Sequence, residues 1–110
     1  MIGLAAIATA VALQVTPQVA MAPATVTVRV TVTSDDERPR DVAIVMTSAD
    51  GEARSSTLPL DPQRRRQTVW FQPWRRVPPG DYEVLAAVLD AGGHVLAQQR
   101  TTVQIKGNEP

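Results

Sequence analysis

The stretch "RRRQTVWFQPWRR", positions 64 to 76, gathers five of the chain's ten arginines and three of its four aromatic side chains. Guanidinium groups interleaved with indole rings can stack on one another, pair with carboxylates or phosphates, and anchor a partner protein. The candidate binding patch is therefore Trp70 and Trp74, rimmed by Arg64, Arg65, Arg66, Arg75 and Arg76. Another protein is the first partner expected of it, and a polysaccharide stacked on the two indoles is the second. Nucleic acid is not expected. Eleven basic residues are matched by eleven acidic ones, so the chain has no net charge with which to draw a polyanion from a distance.

Other chemistry is poorly supplied. There is no cysteine and a single histidine, His94, which follows Gly92-Gly93 at a turn and has no G-x-S-x-G elbow to serve. The acidic run Asp35, Asp36, Glu37 with Asp41 has oxygens for a hard cation but lacks the D-x-D-x-D-G spacing, so a solvated loop is expected. Gly92-Gly93 leads into a strand, whereas phosphate loops lead into a helix. The sequence thus assigns no catalytic residue, cofactor or metal, and the chain is not expected to be an enzyme.

The elements that must carry the patch read as strands. "TVTVRVTVT" alternates strictly, with Val26, Val28, Val30 and Val32 on one face and Thr25, Thr27, Arg29, Thr31 and Thr33 on the other. "VAIVMTS" and "DYEVLAAVLD" are apolar on both faces, as strands inside a sheet are. Asp50-Gly51 and Gly92-Gly93 mark hairpins, with both central residues of the first placed at positive φ. Pro59, Pro62, Pro73, Pro78 and Pro79 mark exits and turns. In "QTVWFQ", alternation puts Val69 and Phe71 in the core and Trp70 outside, where Arg64 to Arg66 or Arg75 to Arg76 would cap it. In the last strand the inward row Val95, Ala97, Gln99, Thr101, Val103 and Ile105 is interrupted by two polar members, which predicts a bulge or a change of partner there. Six to seven strands with frequent turns and no helical period predict an all-β, antiparallel sandwich.

Before this pattern, Ile2 to Val15 is apolar and no charge occurs ahead of Arg29. Residues 1–24 resemble a secretory signal peptide with cleavage after Ala24, although no Lys or Arg precedes the apolar run. The run is too short to span a bilayer comfortably as a helix. The expected division is a leader over 1–24, the sandwich over 25–106 and a disordered tail over 107–110, with an extracytoplasmic location, periplasmic or secreted, and no membrane span left after processing.

The segment "PPGDYEVLAAVLDAGGHVLA" resembles the final hairpin of bacterial immunoglobulin-like and fibronectin type III-like modules, with a flavour of the CARDB kind in its G-x-Y-x-V and D-x-x-G pattern. The resemblance implies an immunoglobulin-like sandwich in which Tyr82 ties the chain back across a corner. It also implies a non-catalytic role in protein interaction, adhesion or accessory structure. The alternatives are a carbohydrate-binding module using Trp70 and Trp74, and a periplasmic chaperone-like binder of extended subunits that offers "TVTVRVTVT" as an open edge.

Overall fold

A computed structural model describes residues 9–107, with strands β1 (Thr9–Thr16), β2 (Val19–Met21), β3 (Ala24–Ser34), β4 (Asp41–Ser48), β5 (Ala53–Pro59), β6 (Arg66–Trp70), β7 (Trp74–Val77), β8 (Gly80–Leu89) and β9 (Val95–Lys106). The chain is all-β, with no helix among the described residues. One sheet has the order β1-β3-β6, with β7 also pairing β3; the other has the order β2-β9-β8-β4-β5. Val26, Val28, Val30 and Val32 of the first sheet are buried with Val42, Ile44, Met46, Val84 and Val88 of the second, so the two strict apolar rows make one interior. Burial of such rows is the main stabilising term, at about 25 cal/mol per Å² of apolar area.

Several expectations are corrected. Nine strands occur among the described residues, because β1, β2 and β7 add to those read from the pattern. The arrangement is mixed, since β2 pairs parallel to β9, Val19 opposite Gln104 and Met21 opposite Lys106. β3 is not an edge: β1 lies along one side of it, and β6 and β7 along the other.

The largest difference lies at the N-terminal side. Within the segment expected to be a leader, residues 1–8 fall outside the described residues, but Thr9–Thr16 pair with β3 over eight residues and bury Val15. The described sandwich therefore includes Thr9–Met21 and extends beyond the expected 25–106. Of the expected tail, residues 108–110 lie outside the described residues.

This placement accounts for the two polar residues in the inward row of β9. The Gln99 side-chain Oε1 accepts the Leu13 N–H at 2.6 Å, and Gln18 Nε2 donates to Thr101 Oγ1 at 3.1 Å. Gln99 and Thr101 face the N-terminal strands instead of the apolar interior, so their polarity is used. The register irregularity lies ahead of them in β9, between Val95 and Ala97, opposite the Val88/Leu89 step.

Both main hairpins share one geometry. Ser48 N–H donates to Glu52 O and Gly51 N–H to Ser48 O; likewise Asp90 N–H donates to His94 O and Gly93 N–H to Asp90 O. Only the glycine before the return strand takes a positive φ, 91° at Gly51 and 83° at Gly93. These are three-residue turns of the type that needs one left-handed position, so Asp50 does not share it. At the remaining corner the Tyr82 hydroxyl donates to the Pro78 carbonyl at 2.8 Å, the tie expected from the sequence.

Candidate functional site

β3 and β6 bring the first element of the patch together. Residue pairing sets Arg29 opposite Trp70, Thr31 opposite Thr68 and Thr33 opposite Arg66, all on the outer face of the first sheet. β1 extends the same rows with Gln14 beside Arg29, Ala12 beside Thr31 and Ala10 beside Thr33. Trp70 is 61% exposed, and the Arg29 guanidinium carbon lies 5.2 Å from its ring centroid. That cation–π contact is worth about 0.5–1 kcal/mol at an exposed site. Next to it, the Thr31 and Thr68 hydroxyls share a hydrogen bond of 3.0 Å. β1, β3, β6 and β7 contain no aspartate or glutamate, so every charge on these strands is an arginine.

The cation–π contact on Trp70 comes from none of the expected capping arginines. Arg65 donates from Nη1 to the Asp35 carbonyl at 2.9 Å, and its own carbonyl accepts Ser34 N–H. Arg64 belongs to the preceding turn, with its N–H on the Asp61 carbonyl. Arg66 is exposed at the start of β6. Arg75 and Arg76 are exposed on β7, and their carbonyls accept the Arg54 guanidinium at 2.8 and 3.4 Å. Arg76 takes a φ of 55°, a left-handed conformation that is uncommon without glycine, and the Arg54 clamp sits at that point. Arg29 thus takes the role expected of Arg64–Arg66 or Arg75–Arg76.

Trp74 is placed differently again. It pairs opposite the buried Val26 and packs on the interior, with Phe71 buried nearby in the chain and Val69 half-buried. The assignment of Val69 and Phe71 to the inside and Trp70 to the outside holds. The two indoles are on opposite faces of the sheet, so they do not form a two-ring platform.

Two carboxyl groups outside this face, those of Asp36 and Asp90, are engaged locally. Asp36 accepts the Arg38 N–H and Nε at 3.1 and 3.0 Å, and its carboxyl is held below the usual range chiefly by that backbone N–H. Asp90 is lowered in the same way by the N–H of His94, with Gly92 adding a second donor, which closes the turn. The His94 ring is largely exposed and rests 3.3 Å from Asp90. No group of three or more possible metal ligands occurs among the described residues. A depression of about 750 Å³ lies on the second sheet between Gln18, Thr47, Glu83 and Gln104, away from Trp70. It is wide open, and Glu83 at its wall faces Arg100 at 3.6 Å.

Sequence reasoning missed Arg29 and Gln14 as members of the face. The alternation placed Arg29 outside, but its pairing with a residue 41 positions later is a matter of register, which no local pattern carries.

No family model matches this sequence, and no curated protein matches it. Among solved structures, the fold is similar to Spo0M, a sporulation control protein from Bacillus subtilis. The TM-score is 0.59 at 10% identity, over 90% of this chain and 49% of that one. It is also similar to the alkylpurine DNA glycosylase AlkC of Pseudomonas fluorescens bound to DNA containing an abasic site analog. There the TM-score is 0.57 at 16% identity, over 89% of this chain and 30% of that one. The chain spans about half the length of the first and less of the second, and at these identities the likeness is one of fold: an all-β chain of two packed sheets.

Proposed function

We propose that this chain is a non-catalytic immunoglobulin-like binding module whose contact surface is the outer face of the β1-β3-β6 sheet, centred on Trp70. The observation that carries the reading is a tryptophan 61% exposed, held by Arg29, on strands without a single carboxylate. Exposed Trp and Arg side by side are the residue types that dominate binding energy at protein interfaces. Two features support the immunoglobulin-like type: the division of strands β1-β3-β6 against β9-β8-β4-β5, and the Tyr82 corner.

Another protein is the proposed partner. The carbohydrate reading relied on two coplanar rings and now has one. The chaperone-like reading relied on an open β3, which is covered on both sides. DNA in the AlkC structure belongs to that protein, and here only Arg29 and Arg66 stand on the face itself. An extracytoplasmic location is proposed on the apolar, charge-free sequence ahead of Arg29; a cut after Ala24 would remove β1 and β2 and with them the partners of Gln99 and Thr101.

The test is affinity capture from the producing organism's extract with the wild-type chain and with an Arg29→Ala/Trp70→Ala double variant of unchanged fold. A component retained by the first and lost by the second is expected. Identical eluates would remove this face as the contact surface.

A further inference from the structure

We propose that the free edge of β6 takes up an extended acidic peptide segment as an added antiparallel strand. This rests on the reading of the Trp70 face as a binding surface, and it names the form and charge of what binds there.

The ladder with β3 decides which backbone groups are already used. Phe71 N–H donates to Val28 O at 3.0 Å and Ser34 N–H to Arg65 O at 2.8 Å. In an antiparallel pair the bonded positions recur every second residue, so Arg65, Gln67, Val69 and Phe71 face β3. The N–H and C=O groups of Arg66, Thr68 and Trp70 therefore point the other way. β6 ends the strand order of its sheet, and no described strand meets them there. Such a row is a template for another chain.

The same three residues carry the outward side chains of β6, all exposed. A strand added here would place its own outward side chains directly beside a guanidinium, a threonine and an indole. Opposite charges and apolar–aromatic pairs in that position are favourable, and like charges are not. The segment is thereby specified: a carboxylate beside Arg66, a β-branched or hydroxyl side chain beside Thr68 and an apolar one beside Trp70. The absence of any carboxylate on β1, β3, β6 and β7 means that nothing on the sheet competes for Arg29 or Arg66.

The other sheet supplies a contrast. β5 also ends its sheet, but its outward residues Ala53, Ser55 and Thr57 offer neither charge nor ring, so an edge alone is not what selects β6.

The experiment is calorimetric titration of the full chain with a capped seven-residue peptide carrying valine, threonine and glutamate at alternate positions. Three controls accompany it: the same peptide with lysine for glutamate, the same peptide N-methylated at the positions that pair, and the Thr68→Pro variant. Proline at Thr68 removes a donor that β3 does not use, a substitution edges tolerate, and its melting curve checks the fold. The glutamate peptide is expected to bind, with affinity at least about tenfold lower in each control, as one charge reversal or lost ladder rungs imply. Equal binding of the N-methylated peptide overturns strand addition even if Thr68→Pro fails to fold, and equal binding of the lysine peptide overturns the acidic selection. Binding of none of the peptides overturns the proposal altogether. In that case a partner captured by the wild type but not by the Arg29→Ala/Trp70→Ala variant would leave the contact surface standing without it.

Discussion

Trp70 and Trp74 stand four residues apart along the same side of β3, one opposite Arg29 and the other opposite Val26. The first shows more than half its surface to solvent, and the second is packed on the interior. An even spacing within one strand would put both on one face. The chain between them leaves strand geometry over Phe71, Gln72 and Pro73, and it resumes as β7 with its faces exchanged. Phe71 fills the interior at the end of β6, and Pro73 cannot donate to a ladder, so the interruption has a packing cause and a backbone cause. The difference shows that an aromatic cluster in sequence can be divided between stability and display by a three-residue break.

The contrast can be attacked at several points. Trp74→Ala should be the most damaging change, costing about 3 kcal/mol because a large side chain leaves the interior, read as a lower urea midpoint at constant slope. Tyr82→Phe deletes the hydroxyl bond to Pro78 at the end of the same β7 segment and should cost about 1 kcal/mol. Burial, with the nearby Glu52 charge adding to it, pushes the Tyr82 phenol above its ordinary value of 10.0. Since the folded value lies above the unfolded one, the associated stability is complete below about pH 10 and is lost as pH rises through the raised value. Unfolding free energy should accordingly fall at alkaline pH in the wild type and fall less in Tyr82→Phe.

Arg54→Met should cost about 1 kcal/mol or less by releasing the Arg75 and Arg76 carbonyls, and it should alter Trp74 emission while leaving Trp70 emission unchanged. The smallest effect is expected for Trp70→Ala, within about 1 kcal/mol, since only the Arg29 contact is lost. Single-tryptophan variants would sharpen the comparison further. With Trp74→Phe the remaining indole should be readily quenched by iodide, and with Trp70→Phe it should be protected. Equal quenching of both would dissolve the distinction.

Much of this arrangement was legible in the residues. The valine–threonine alternation of β3, the doubly apolar β4 and β8, both glycine turns and the Tyr82 tie are local features, and local rules find them. Partnership is not local, which is why Arg29 was not matched to Trp70. The N-terminal strands were hidden for another reason. In "TAVALQVT" the inward residues are Thr9, Val11, Leu13 and Val15 and the outward ones Ala10, Ala12, Gln14 and Thr16. Alanine counts as apolar, so a period-two strand was flattened into an apolar run of the kind that leaders have. Gln99 and Thr101 held the complementary clue, since polar residues in an inward row must have a polar neighbour.

The parallel pairing of β2 with β9 has a mechanical consequence. β2 runs parallel to β9, and the contacts of Leu13 with Gln99 and of Gln18 with Thr101 advance along both chains together, so Thr9 lies toward one end of the sandwich and Lys106 toward the other. Tension drawn between those two points would act along the strands. The Gln18–Gln104 and Ala22–Lys106 backbone bonds, at 2.8 Å each, would then be loaded together in shear instead of being peeled one at a time. The side of the molecule that reads in sequence as disposable is thus the side on which a pulling force would first be resisted.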